Sequence, residues 1–165
     1  MDATSNQINI IYEFEEISKL SKLFDDLFIN YSTNLDENNI NNPIEFNYAF
    51  KKEFATGKIE YKRTLTSYII NKKKDKLIRQ IYCRIYEGLI TDNIGICYYL
   101  IGIEDSGKPS FINDTELKES IKFIKNNIEY TEIKFALIFL KNTNQNYKFV
   151  VIKFWVDSIN KTEYF

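Results

Sequence analysis

The chain has 165 residues, of which 44% are hydrophobic and 16% aromatic, so it is long enough to bury a core and too aromatic to be disordered. It contains no histidine, which excludes Ser-His and Cys-His nucleophiles, histidine-ligated metals and histidine pH switches. The net charge of −1 hides two blocks: residues 1–50 hold nine acidic residues and two lysines, whereas residues 51–90 hold eleven basic residues and four acidic ones.

The N-terminal part predicts a helix followed by a loop. Apolar residues recur at three- and four-residue spacing over Phe14–Tyr31, with charges between them, which is typical of an amphipathic helix. Ile8–Tyr12 is predicted as a short strand or an extended tail. The asparagine-rich segment Asn34–Asn47 predicts a loop. We therefore expect two parts: an acidic helix and loop over 1–47, and an α+β domain over 48–165.

The middle of the chain predicts a strand, a helix and a second strand. Apolar and polar residues alternate over Lys58–Thr66, which indicates a half-buried strand. Asn71 is a candidate cap for a helix that runs to Glu87, with Gly88 as its stop. The nearly continuous apolar run Ile94–Ile103 predicts a central buried strand.

The C-terminal part predicts a helix and a hairpin. After a turn, Asn113 or Asp114 caps a helix that continues to Ile128. Two strands, Ile133–Leu140 and Tyr147–Val156, are joined by a polar loop. The fold class is therefore α+β: a mixed β-sheet in the order β-α-β-α-β-β with helices on one face, preceded by the N-terminal amphipathic helix.

Cysteine usage and hydropathy indicate the compartment. Cys83 and Cys97 are too few for a Cys-only zinc site, and we expect both to be buried free thiols in a reducing compartment. No apolar run approaches the roughly 18 residues of a membrane span, and the N-terminus lacks a signal pattern. We expect a cytoplasmic protein without a membrane partner.

One segment imitates a nucleotide-binding loop. Gly102 to Lys108 fits the first seven positions of the phosphate-binding pattern, but the eighth position is Pro109 instead of a magnesium-binding Ser or Thr. The next helix starts only near Asn113, so no helix N-terminus faces a phosphate. We predict a tight turn, with no bound nucleotide and no cofactor.

A second candidate is carboxylate chemistry. Glu53, Glu60 and Asp105 would converge, with Lys62 beside them, if the two strands that follow Gly57 and precede Asp105 are neighbours. Carboxylates can hold a divalent metal without histidine and so support phosphodiester cleavage. The alternative is a set of ordinary surface charges at strand ends.

The third candidate is RNA binding, because lysines neutralise phosphates and exposed tyrosines stack on unpaired bases. Lysines at the start of a helix also oppose its dipole, which raises the chance of a functional role. Tyr61, Tyr68, Tyr82 and Tyr86 are interleaved with the basic residues, although many of them suit a core or a snorkelling position better than an exposed one. The candidate RNA-binding residues are Lys58, Lys62, Arg63, Lys72, Lys73, Lys74, Lys76 and Arg79.

Three ordered motifs carry a family resemblance: the segment 57–62 (GKIEYK), the segment 84–88 (RIYEG) and the segment 101–107 (IGIEDSG). Together they resemble the N-terminal accessory domain of the translational GTPases called GTP-binding proteins one and two, relatives of elongation factor 1-alpha. The similarity covers roughly residues 57–156. Because residues 1–165 contain no GTPase domain, the resemblance implies docking on the ribosome, through rRNA and ribosomal proteins, without GTPase activity.

A weaker similarity reaches the Schlafen-type, AlbA-like nuclease fold, in which acids on an EYK strand and a later turn bind metal. That similarity implies that Glu53, Glu60 and Asp105 are catalytic.

The first resemblance, which three motifs carry, leads us to expect a non-enzymatic, ribosome-associated and rRNA-binding factor that regulates translation or ribosome dormancy. The alternatives are a metal-dependent endoribonuclease and a protein-interaction adaptor.

Overall fold

The computed structural model of the chain describes residues 3–31, 37–54 and 57–157. Its helices are α1 (Ala3–Asn30), α2 (Thr66–Ile70), α3 (Lys74–Asp92) and α4 (Asp114–Ile128), with a 3-10 turn at Glu37–Asn41. Its strands are β1 (Ile44–Glu45), β2 (Ile59–Lys62), β3 (Ile96–Ile101), β4 (Ile133–Asn142) and β5 (Tyr147–Val156). The predicted α+β class with a mixed sheet is confirmed.

The five strands form one mixed sheet in the order β1-β4-β5-β3-β2. β2 and β3 are parallel, with Ile59 opposite Tyr98, because α2 and α3 carry the chain back between them. β4 and β5 form the predicted hairpin, and β3 is antiparallel to β5. The carboxyl ends of β2, β3 and β4 therefore lie at the same end of the sheet as the start of β5. We call this the upper end.

Helices cover both faces of the sheet. On one face, aliphatic side chains from α3 and α4, such as Ile81 and Ile121, share a core with Ile152 of β5. On the other face α1 packs Phe24 against a cluster that contains Tyr98 of β3. Residues 46–54, which we call the strap, cover the rest of this second face with further aromatic rings. The helices that follow β2 thus share one face, as predicted, and the N-terminal helix occupies the other.

The N-terminal segments differ from their predictions. α1 begins at Ala3, so the predicted short strand or extended tail at Ile8–Tyr12 is wrong and this backbone is helical. The predicted loop Asn34–Asn47 contains the 3-10 turn and the short strand β1, which pairs in parallel with the end of β4. Residues 32–36 lie outside the described part. The boundary placed between residues 47 and 48 stays a prediction.

The predicted central helix is α3, which begins later than expected, and the short helix α2 before it was not predicted. Asn71 ends α2 instead of capping a long helix, and Lys72 follows in a left-handed conformation before α3 begins at Lys74. Gly88 does not stop α3, which continues to Asp92. A Cβ on Gly88 would lie 2.5 Å from the carbonyl oxygen of Ile96, so this glycine permits close packing of α3 on β3.

The predicted helix cap and the predicted burial of the two cysteines can be compared with the structure. The cap at Asn113 is confirmed, because its Oδ1 accepts a hydrogen bond of 2.8 Å from the backbone N–H of Glu116. Cys97 is buried as predicted, but Cys83 is exposed, since it lies on the solvent side of α3. Within the described ranges, none of the helices combines the length and the apolarity that a membrane crossing requires.

Candidate functional site

Six of the predicted RNA-binding residues form an exposed group near the upper end of the sheet. α3 returns from the end of β2 to the start of β3, so its first turn lies near the upper end. All six side chains are exposed, and among the described residues none of them forms an ion pair. We call this group the basic patch; it consists of Arg63, Lys72, Lys73, Lys74, Lys76 and Arg79.

The local backbone of the basic patch is unfavourable by ordinary helix rules. Lys72 has φ 54°, in the left-handed region that favours glycine. Lys73 stands at the N-cap of α3 without a side-chain cap, and Asp75 is the only acid in the first turn of that helix. Several cations at a helix N-terminus oppose the dipole. The local sequence is therefore not explained by helix stability.

The other two predicted RNA-binding residues lie apart from the basic patch. Lys58 precedes β2 at the opposite end of the sheet and is only 6% exposed. Lys62 is half-buried at the end of β2, where its Nζ lies 3.3 Å from Glu60 and donates a 3.0 Å hydrogen bond to Tyr68. Burial alone would lower the pKa of Lys62, but the hydrogen bond with Tyr68 and the charge of Glu60 outweigh it and raise the pKa. Neither lysine is available to a phosphate in this arrangement.

The structure brings together the three acids that were candidates for catalysis. Glu60 is on β2, Asp105 is in the turn after β3, and Glu53 is at the end of the strap. The backbone N–H of Glu53 donates a 2.7 Å hydrogen bond to the carbonyl of Asp105, which joins the strap to the turn. The carboxyl of Glu53 also shares hydrogen bonds with the carboxyls of Asp105 and Glu60. We call these three residues the carboxyl cluster.

Arg84 of α3 holds one side of the carboxyl cluster. It forms an ion pair with Glu60, lies 3.6 Å from Glu53 and donates a 2.7 Å hydrogen bond to the carbonyl of Gly57. The guanidinium therefore links the strap, β2 and the loop before β2. Sequence reasoning counted Arg84 as part of a family motif and did not predict this contact.

The carboxyl cluster changes the protonation of Glu53. Burial, the hydrogen bond with Asp105 and the charge of Glu60 raise the pKa of Glu53 to about 8. Glu53 therefore keeps its proton through neutral pH and can donate it to a neighbouring carboxylate. The three carboxyls share a proton with one another and the positive charge of one guanidinium, so the net charge of the carboxyl cluster is small.

This arrangement does not fit a metal ion as it stands. In the part of the chain that the structure describes, no group of three or more His, Cys, Asp or Glu side chains is arranged to hold a metal. Arg84 already neutralises Glu60, and a protonated Glu53 is a poor ligand. The chemical types of the donors suit magnesium or manganese, but their positions and protonation do not.

The segment that imitates a phosphate-binding loop is a tight turn, as predicted. The backbone N–H of Gly107 bonds to the carbonyl of Glu104 at 2.8 Å, and Ile103 and Pro109 form a β-bridge. Gly107 has φ 89° and lies so close to the strap backbone at Phe50 that a Cβ would collide with it. α4 begins only at Asp114.

Most of the tyrosines interleaved with the basic residues belong to the core, which is the alternative to base stacking. Tyr61 and Tyr68 are buried, and Tyr82 is half-buried, so these rings are not available for stacking on bases; Tyr86 is exposed. The structure instead exposes Phe111, which sequence reasoning treated only as a delay before α4. A sequence signal for this exposure exists, because the residue just before a helix cap is often a buried apolar one. Ile112 takes that position before the cap of α4, and Phe111 is left outside the core.

Comparisons with known proteins do not identify the chain. No protein-family model matches it, and a search of curated proteins finds no match. The two family resemblances given by the sequence motifs therefore stay predictions.

Proposed function

We propose that the chain binds RNA through the basic patch and acts without turnover as a ribosome-associated factor in the cytoplasm. The observation that carries this proposal is the basic patch itself: six exposed cations without ion-pair partners in the described part of the chain. Uncompensated cations on one surface attract a polyanion and release its counterions on binding. The motif resemblance to the accessory domain of translational GTPases supports the ribosome as the partner, and a role in translation regulation or ribosome dormancy is part of this proposal.

The charge environment supports binding over catalysis. The lysines and arginines of the basic patch face solvent. In the carboxyl cluster Glu60 is paired with Arg84, and Glu53 is protonated. The exposed Asp105 is hydrogen-bonded to Glu53. A phosphate backbone is attracted to the first group. The second group presents little net charge to a nucleic acid.

Sucrose-gradient sedimentation tests the proposal. Wild-type protein is expected to sediment with ribosomes or subunits at moderate salt. A variant with Lys72, Lys73, Lys74 and Lys76 changed to Glu should lose this association. The matched control changes Lys19, Lys22, Lys118 and Lys122 to Glu, which alters the net charge equally at exposed sites on α1 and α4.

Binding of a fluorescent rRNA fragment adds a quantitative measurement. If all four lysines contact phosphates of a single strand, the slope of log affinity against log salt should become shallower by about 3 in the first variant. The proposal would be refuted if the wild-type protein did not associate with ribosomes or subunits, or if the control variant lost as much binding as the first variant. A discrete protein complex in the gradient would instead favour a protein-interaction adaptor.

A metal-dependent endoribonuclease is the second candidate. The convergence of Glu53, Glu60 and Asp105 favours it, whereas the ion pair between Arg84 and Glu60 and the raised pKa of Glu53 oppose metal binding. Incubation of tRNA or rRNA with pure protein and manganese distinguishes the two. Cleavage that Glu60→Ala and Asp105→Ala abolish would support the nuclease, and intact RNA would remove it.

A further inference from the structure

Phe111 combines an exposed aromatic ring with a backbone conformation that disfavours a bulky side chain. The residue is 64% exposed, and its φ is 52°. On one side of it, Ile112 is buried in the aliphatic core and Asn113 caps α4. These neighbours fix the backbone, so glycine or asparagine would suit position 111 better than phenylalanine. An unfavourable backbone that carries an exposed ring is more typical of a functional position than of a structural one.

The ring of Phe111 is held in place by one neighbour. Its centroid lies 5.8 Å from that of Tyr147, and the two ring planes are 70° apart. Tyr147 is buried at the start of β5 and packs on Phe149, so it provides a fixed support. The phenyl ring is thereby ordered while most of it stays open to solvent. An ordered, exposed ring loses little conformational entropy when a second ring stacks on it.

Tyr147 also lines a polar cavity of about 310 Å³. The cavity contains two cations: Lys148, which bonds to Asp114 at 3.1 Å, and Lys141, which forms no ion pair with any described residue. Amide side chains that can read the edge of a base stand beside them. The lining residues are Asn41, Pro43, Lys141, Asn146, Tyr147 and Lys148.

Phe111 and the basic patch lie near the same end of the sheet. Phe111 follows β3, and Tyr147 begins β5, which places the ring at the upper end. The first turn of α3, with Lys73 and Lys74, starts near this end because α3 returns from the end of β2. Both are therefore assigned to the upper end of the sheet.

We propose that Phe111 is a stacking platform for an unpaired base of single-stranded RNA, with Lys141 contacting an adjacent phosphate. This inference rests on the proposed RNA binding and states which form of RNA the upper end recognises. Aromatic side chains stack on bases of any sequence, and duplex RNA does not expose its base faces. The protein is therefore expected to prefer unpaired RNA.

Fluorescence anisotropy with a single-stranded oligonucleotide and its matched duplex tests the preference. Phe111→Ala should weaken single-strand binding by between about 5-fold and about 100-fold and leave duplex binding unchanged. Phe111→Tyr should retain binding, since it keeps an aromatic face. Tyr130→Ala is the matched control, because Tyr130 is 90% exposed and lies at the opposite end of the sheet.

A second measurement reports stacking directly. The chain has one tryptophan, Trp155, which lies at the other end of the sheet. In a protein that carries Trp155→Phe and Phe111→Trp, the new indole should be quenched by the single strand and not by the duplex. Melting curves of Phe111→Gly identify any structural contribution, because this variant relieves the backbone while it removes the ring.

The outcomes separate this inference from the proposed function. If Phe111→Ala binds the single strand as wild type does, or if the indole at position 111 is not quenched, the platform is wrong while binding by the basic patch stands. If wild-type protein binds neither oligonucleotide, both proposals fail. Loss of single-strand binding in Phe111→Ala and Phe111→Gly, with Tyr130→Ala unaffected, supports the platform.

Discussion

Substitution of Gly88 by alanine measures how closely α3 approaches the sheet. A Cβ at this buried position would lie 2.5 Å from the carbonyl oxygen of Ile96 and 2.8 Å from that of Ile94. Both oxygens belong to the backbone, so they cannot rotate away as the end of a flexible side chain can. Either α3 moves outward or the start of β3 bends.

Two effects of opposite sign determine the result. Alanine in place of glycine in a helix interior is favourable by about 1 kcal/mol. Overpacking costs about 1–3 kcal/mol, and an overlap with two backbone oxygens belongs at the upper limit, about 3 kcal/mol. We therefore expect Gly88→Ala to lower the free energy of unfolding by about 2 kcal/mol. For a chain of this length, the melting temperature should fall by about 4–8 °C.

Urea denaturation, followed by circular dichroism and by the fluorescence of Trp155, gives the free energy of unfolding. Cys83→Ala is the control, because Cys83 is exposed on the same helix and alanine there should stabilise by a few tenths of a kcal/mol. A Gly88→Ala protein as stable as the wild type would refute the close packing of α3 on β3.

Three further predictions follow from the site. Arg84→Met leaves Glu60 with Lys62 as its remaining cation and removes the hydrogen bond to the carbonyl of Gly57, so unfolding in urea should show a loss of up to about 3 kcal/mol; an unchanged midpoint would contradict the ion pair. Because burial holds the pKa of Glu53 at about 8 instead of 4.5, the folded state binds its proton more tightly, and stability should fall as pH rises from about 4.5 to about 8. Glu53→Gln should flatten that part of the profile, and a profile identical to wild type would argue against the raised pKa. Lys72→Gly should raise stability by up to about 1 kcal/mol, since it relieves the left-handed backbone, while RNA binding weakens; a loss of stability would contradict the strain.

The sequence predicts four of the five strands and the last two helices, because their signals are local; the short strand β1 lies in a segment predicted to be a loop. Alternating and continuous apolar runs set β2, β3 and the hairpin, and Asn113 begins α4 as its cap chemistry requires. The strand prediction for Ile8–Tyr12 is wrong. Its β-branched residues favour a strand, but helix formation continues cooperatively from the amphipathic segment that follows. The left-handed residue Lys72 separates α2 from α3 and delays the start of the predicted helix, and a lysine gives no sequence signal for such a conformation.

The candidate site is predictable in part. Parallel pairing of β2 and β3 makes the meeting of Glu60 and Asp105 reasonable, but the return of Glu53 from the strap depends on how Gly107 packs against Phe50. The contact of Arg84 is also predictable in principle, because Arg84 lies on the apolar side of the α3 pattern, where a cation needs a buried partner.

The sheet also separates charge. α1 holds five acidic residues and two lysines on one face, while residues 63–79 of the opposite face hold six basic residues and one acidic one. These two segments therefore give the described part of the protein a dipole component directed across its sheet. In the field of a polyanion the protein should rotate before contact so that the basic side leads, and its association rate should fall with ionic strength even though its net charge has the sign of RNA.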